Sequence, residues 1–228
     1  MTKAGDAILL LLVALSGCAQ GTVPTQKPEL LLITALPIVT GEKFALDATG
    51  SPALTRLEQD FRVRPIGISD AGALRGGTLL LMAQPRAQPA EALVDLDAWV
   101  RSGGRVMILA DPRLDWPSGR PLGDVLRPPF EYADTGLLKH WGLTLDPPGV
   151  AGPTKRKLGS AVVTAANPGT LHADTGSFCQ ISSDGFIADC PIGKGRAEVI
   201  ADADFLNVEQ PAELDSFVGE IQRLARDR

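Results

Sequence analysis

Apolar residues in this chain fall into two kinds of run, and the alternation between them sets the expected fold class. Glu29 to Ala35 (ELLLITA), Thr78 to Ala83 (TLLLMA) and Arg105 to Ala110 (RVMILA) are continuous apolar stretches of strand length. That is the pattern of strands buried on both faces of a parallel sheet. Between them, apolar positions recur at helical spacing. Ser51-Pro52 reads as an N-cap with Pro at the first helical position, followed by Leu54, Leu57 and Phe61 as the buried stripe. Pro89 opens a second helix in which Leu93, Leu96, Trp99 and Val100 share a face, and Gly103-Gly104 stops it. Thr78 to Ala110 is thus one βαβ crossover, right-handed in nearly all known cases, with its two strands parallel. The expected class is α/β, with an open, mostly parallel sheet and helices on both faces.

Weaker patterns fill in the rest. Arg62 to Ile68 predicts a strand interrupted by Pro65 and so placed at a sheet edge. After Asp111-Pro112 the regularity lapses through a Pro-rich insertion to about Pro129. Asp134 to Trp141 predicts a short helix that Gly142 turns into a strand, Leu143 to Leu145. Ser160 to Ala165 and Arg196 to Ala201 (RAEVIA) predict further strands, and Lys155-Arg156-Lys157 reads as a solvated loop, with a contact to lipid headgroups as the alternative. From Pro211, Leu214, Phe217, Val218, Ile221 and Leu224 give a last helix a clean amphipathic stripe. Trp116 and Trp141 are assigned to packing.

The N-terminus follows a different logic. The apolar run Ala7 to Leu15 is about half the roughly 20 residues a spanning helix needs, and it has the length of a signal-peptide core. It ends in Leu15-Ser16-Gly17-Cys18, which resembles a bacterial lipobox. The resemblance implies cleavage before Cys18, a diacylglyceryl group on its thiol, and work in the cell envelope, facing the periplasm. Two acyl chains anchor stably where one does so marginally, so palmitate-type lipid at Cys18 implies firm membrane attachment. The organisation expected is a signal peptide over 1–17, a lipidated tether over 18–28 rich in Gly, Thr, Pro and Gln, and a single α/β domain over 29–228.

With Cys18 assigned to lipid, the remaining thiols are Cys179 and Cys190, an even number in an oxidising compartment. Ser177 to Ser182 and Phe186 to Cys190 flank a two-residue Asp184-Gly185 turn, a strong hairpin signal. In that register residue numbers on opposed positions sum to 369, so Cys179 faces Cys190 at a Cα spacing of about 4.5 to 5.5 Å, inside disulfide range. A pair of buried reduced thiols is the alternative.

Charge changes little in this picture. The formal net charge of −5 gives no sign of a nucleic-acid partner, and 44% apolar content is enough to bury a full core.

Specific words then point to a family. Leu79 to Pro112, LLLMAQPRAQPAEALVDLDAWVRSGGRVMILADP, and Gly193 to Asn207, GKGRAEVIADADFLN, are similar to segments of the auxiliary domain of uncharacterised ABC-type transport systems, including gliding-motility type components. With Leu138 to Leu145 the likeness extends over roughly Leu30 to Arg226. The resemblance implies a class I glutamine amidotransferase-like, flavodoxin-like fold with a C-terminal β-hairpin. Amidotransferases of that fold carry a cysteine on a glycine-flanked elbow between strand and helix. Here the turn after Ala83 reads Gln84-Pro85-Arg86-Ala87, without Cys, Ser or elbow glycines. A thiolate nucleophile is therefore not expected, and no catalytic residue is assigned.

Other chemistry is sparse. His140, on the short helix, and His172, in a polar loop, are isolated, no Cys-x-x-Cys or His-x-His pair suggests zinc, and Gly193-Lys194-Gly195-Arg196 precedes a strand where a phosphate loop must open a helix, so it reads as a turn. No cofactor or nucleotide-binding loop is assigned, so any ATPase must be a separate chain. The candidate ligand-binding residues are acidic: Asp111 follows one predicted strand, Asp202 and Asp204 follow another, and Asn207 is close by. These can gather at the carboxyl edge of a parallel sheet, where open α/β sheets bind ligands, and paired carboxylates there could hold Mg²⁺ or Ca²⁺. The plainer alternative is capping: Asp111-Pro112 favours a turn, and Asp204 can satisfy free N–H groups before the last helix.

The sequence thus leads to a non-catalytic, lipid-anchored envelope domain that assists an ABC-type system by binding a partner or ligand. An envelope hydrolase or carbohydrate- or metal-binding enzyme using Asp111, Asp202 and Asp204 is the competing expectation, and a scaffold lipoprotein without a transport link a third. Ala19 stands where enteric lipoproteins retained at the inner membrane carry Asp, which points outward, whereas an ABC partner lies in the inner membrane. Both membranes stay open.

Overall fold

The computed structural model describes residues 26–41 and 50–226. Cys18 and the apolar run before it lie outside the described residues, as does most of the proposed tether.

The three continuous apolar runs become β1 (Glu29–Thr34), β3 (Leu79–Ala83) and β4 (Arg105–Leu109). In β3 every residue is buried, as continuous apolar strands require when both sheet faces are covered. β2 (Arg62–Pro65) pairs with β1 and ends the sheet, as Pro65 predicted, although it stops short of Ile68. Helix α1 (Pro52–Asp60) is capped by Ser51, whose side chain accepts from Leu54 N–H, and it buries Ala53 and Leu57. A short helix α2 (Ala71–Leu74), capped by Asp70, has no apolar stripe long enough to reveal it in the sequence. α3 (Ala90–Arg101) follows Pro89, and Gly103 ends it with φ +123°, a conformation that favours glycine.

Beyond the insertion come α4 (Leu137–His140), β5 (Leu143–Asp146), β6 (Thr154–Leu158), β7 (Ala161–Ala165), β8 (Thr170–Ala173) and β9 (Gln180–Ile181). The chain closes with β10 (Ile187–Ile192), β11 (Gly195–Ile200) and α5 (Asp215–Arg226), the last preceded by a 3₁₀ turn at Pro211–Leu214. Four expectations need correction. Lys155, Arg156 and Lys157 lie in β6, not in a loop: they alternate exposed and half-buried in a hairpin with β7. His172 lies in β8, paired with β5. The helix expected from Asp134 starts only at Leu137, because Gly136 in front of it has φ +98°. The first strand of the disulfide hairpin shrinks from Ser177–Ser182 to β9.

The main sheet runs β2-β1-β3-β4-β11-β10-β9. The first five strands are mutually parallel, β10 runs antiparallel to β11, and β9 runs antiparallel to β10. From β1 the chain moves one way to β2 and then the other way to β3 and β4. With right-handed crossovers that reversal sets α1 on one face and α2 with α3 on the other. The packing agrees: α1 touches α5, and α2 touches α3. Trp141 is buried in the core and its indole N–H donates to Asp97 Oδ1 at 2.8 Å, while Trp116 packs half-buried against it, so both tryptophans are packing residues.

The β9–β10 register is the expected one: Ile181 faces Ala188 and Gln180 faces Asp189. Cys179 and Cys190 are joined by a disulfide, their Cα atoms 4.1 Å apart, a little closer than the spacing expected for an opposed pair. Gly193-Lys194 is the turn between β10 and β11, as read from the sequence.

Candidate functional site at the carboxyl edge

Because β4 and β11 are adjacent and parallel, the residues that leave their carboxyl ends emerge side by side. Asp111 follows β4, and Asp202 and Asp204 follow β11. One oxygen from each of the three lies within 4.8 Å of the others. Asp111 and Asp202 are fully buried and Asp204 is 8% exposed.

Backbone amides orient these carboxylates. Asp111 Oδ1 accepts from Arg113 N–H at 2.8 Å, closing the turn at Asp111-Pro112, and its Oδ2 accepts from Ala203 N–H at 3.0 Å, across to the β11 side. Asp202 Oδ1 accepts from Phe205 N–H at 3.2 Å. Both oxygens of Asp204 accept from Asp115 N–H at 3.0 Å. Asp204 therefore holds the insertion rather than the amides before the last helix, where capping was expected. Asn207 does not join the group: it is exposed, and its own N–H donates to the Asp204 carbonyl.

Three acids packed together away from water resist ionisation. Burial, and then the neighbouring Asp111 and Asp204, push Asp202 up to about 8. Burial pushes Asp204 up to about 7, against the pull of the Asp115 amide, and Asp111 also rises through burial. Asp111 and Asp204 lie close enough for each to act on the other's ionisation. Asp204 and Asn207 line a cleft of about 430 Å³ between β7 and the C-terminal helical segment, with Val163, Thr164 and Phe217 as further walls.

One residue the sequence did not mark as special is central here. Gln84, directly after β3, has φ +43°, and among the described residues it is the one non-glycine residue with positive φ. It is fully buried. Its side chain accepts from Asp111 N–H at 2.9 Å and donates to the Asp111 carbonyl at 3.1 Å. Gln84 thus opens the loop between β3 and α3, with its carboxamide bound to the Asp111 backbone. Its position after a buried strand was legible; its left-handed backbone was not.

Neither histidine belongs to the carboxylate group. His140 is exposed beside Asp97 at 3.5 Å, and His172 is exposed beside Asp146 at 3.1 Å. The insertion that follows Asp111 exposes Leu122, Val125, Leu126 and Phe130, each at least half accessible, at the same edge of the sheet.

No protein-family model matches this chain, and no curated protein matches it. Among solved structures it is similar to the mmIFT52 N-terminal domain, at 14% identity and a TM-score of 0.56 over 87% of this chain and 98% of that one. It is also similar to a cytoplasmic protein of Salmonella typhimurium LT2, at 12% identity and a TM-score of 0.51 over 86% and 99%. A GH42 β-galactosidase from G. stearothermophilus, in a catalytic variant, matches at 14% identity and a TM-score of 0.50 over 88% of this chain, which spans 30% of that enzyme. At these identities the likeness establishes the α/β fold with its mostly parallel open sheet and goes no further.

Proposed function

We propose that this chain is a non-catalytic, lipid-anchored envelope domain that assists an ABC-type transport system by binding a protein partner. The observation that carries the reading is the turn after β3: Gln84 fills its first position, both ends of its carboxamide are held by Asp111, and the two cysteines of the domain are bonded to each other. The strand order β2-β1-β3-β4-β11 follows the 2-1-3-4-5 order of flavodoxin-like sheets and supports an amidotransferase-like assignment. An enzyme built on the carboxylates would need them to reach a substrate. Asp111 and Asp202 are closed off, which weighs against that reading.

Geometry also favours separate ends for membrane and partner. The proposed tether enters at Glu29, the amino end of β1, about 20 Å of strand away from the carboxyl edge. Leu122, Val125, Leu126 and Phe130 stand at that far edge, and this apolar surface is the one offered to the partner. The test is crosslinking of the tagged full chain in intact cells, followed by recovery from membranes. Co-recovery of a transporter's membrane or ATPase subunit, lost in Cys18→Ala, is the expected result. Repeated recoveries without any transporter subunit overturn the proposal.

A further inference from the structure

We infer that Asp111, Asp202 and Asp204 form a binding site for one hard divalent cation, Ca²⁺ or Mg²⁺ in class, that clasps the carboxyl ends of β4 and β11. Three carboxylate oxygens within 4.8 Å of one another, from two adjacent strands, are the donor type and spacing such ions take. A second observation is independent of that spacing. Asp202 is fully buried, its Oδ1 is used by Phe205 N–H, and its Oδ2 has no hydrogen-bond partner of normal geometry, although the Ala166 amide lies near enough to lower the carboxyl's pKa. A buried carboxylate oxygen left unmatched is costly, and a cation held between Asp202 and its two neighbours removes that cost.

The surroundings fit a ligating role. The amides of Arg113, Ala203, Phe205 and Asp115 fix all three carboxylates, as outer-shell hydrogen bonds fix metal ligands, and each carboxylate still has lone pairs to give. Asp204 lines the 430 Å³ cleft, so an ion that sheds its water can enter the group from that side while Asp111 and Asp202 stay closed to larger molecules. The ion stabilises the edge and supplies no reaction, so this site stands whether or not the partner is a transporter.

The test uses the full chain near pH 8 with Ca²⁺, Mg²⁺ or Mn²⁺ at about 1 mM, the weak end of the range for extracellular sites. Equilibrium dialysis is expected to find one ion per chain, with a saturable rise in Tm. Asp202→Asn is expected to weaken binding at least tenfold while keeping the native circular dichroism. Mn²⁺ on the wild-type chain is expected to broaden the amide resonances of Arg113, Asp115, Ala203 and Phe205 first, a readout that stands even if a variant fails to fold. Dialysis without a bound ion, an Asp202→Asn variant that binds like wild type, or broadening centred elsewhere overturns the inference.

Discussion

The side chain of Gln84 and the backbone of Asp111 hydrogen-bond to each other twice, N–H to Oε1 at 2.9 Å and Nε2–H to carbonyl at 3.1 Å. The last register pair of β3 and β4 is Ala83 with Leu109, so Gln84 adds a side-chain rung beyond the end of the ladder. The same contact fixes the residue whose carboxylate begins the acidic cluster. The turn after β3 is thus a joint between the two strand ends.

Gln84→Ala should therefore destabilise the protein by about 2 to 4 kcal/mol, because it leaves a buried N–H and a buried C=O of Asp111 unmatched. Gln84→Gly loses the same bonds but relieves the left-handed backbone. It should come out about 1 kcal/mol more stable than the alanine variant, the reverse of the usual order for these residues. Urea unfolding of both variants checks this.

Reduction of the Cys179–Cys190 bridge should lower stability by about 3 kcal/mol through the entropy of the short loop it closes. Thiol titration in denaturant, with and without reductant, should count two more free thiols after reduction. Unfolding curves under the two conditions give the energy.

Glu198, on β11, is buried under α5, where Arg223 pairs with its Oε2 while Oε1 has no partner. Burial pushes this carboxyl up to about 7 against the pull of Arg223, with Glu220 and Asp189 pushing the same way as burial. The folded state then holds a proton that the unfolded chain has already released. This group's contribution is complete below about pH 4.5 and is lost as pH rises through about 7. Denaturation between pH 5 and pH 8 should show a fall on the order of 2 kcal/mol from this group, flattened in Glu198→Gln.

Radioactive palmitate should label the wild-type chain and leave Cys18→Ala unlabelled. Equal labelling of the two would place the anchor elsewhere.

The parts of the fold that were legible share a physical cause. β1, β3 and β4 are buried on both faces, so their sequences are apolar throughout, and the Gly103-Gly104 stop between α3 and β4 reads directly. β6 was missed because a hairpin with one solvated face can be written Thr-Lys-Arg-Lys-Leu, which looks like a charged loop. β8 was missed because its short run Thr-Leu-His-Ala has one buried residue. The meeting of Asp111 with Asp202 and Asp204 was foreseeable, since parallel strands deliver their carboxyl ends to one edge. That Asp204 would be held by Asp115, or Asp111 by Gln84, was not, because both contacts come from loop geometry that local sequence does not encode. Glu198 hid in a mostly apolar strand as its one buried charge, compensated by a helix later in the chain.

The central proposal, an anchored domain whose far edge binds a transporter, is tested most directly by site-specific photocrosslinking in living cells. A photoreactive residue at Leu126, on the exposed apolar insertion, should yield an adduct with a subunit of an ABC-type system. The same probe at Glu58, on the outer side of α1, should not. Adducts of equal yield at both positions, or none at Leu126, would contradict the account.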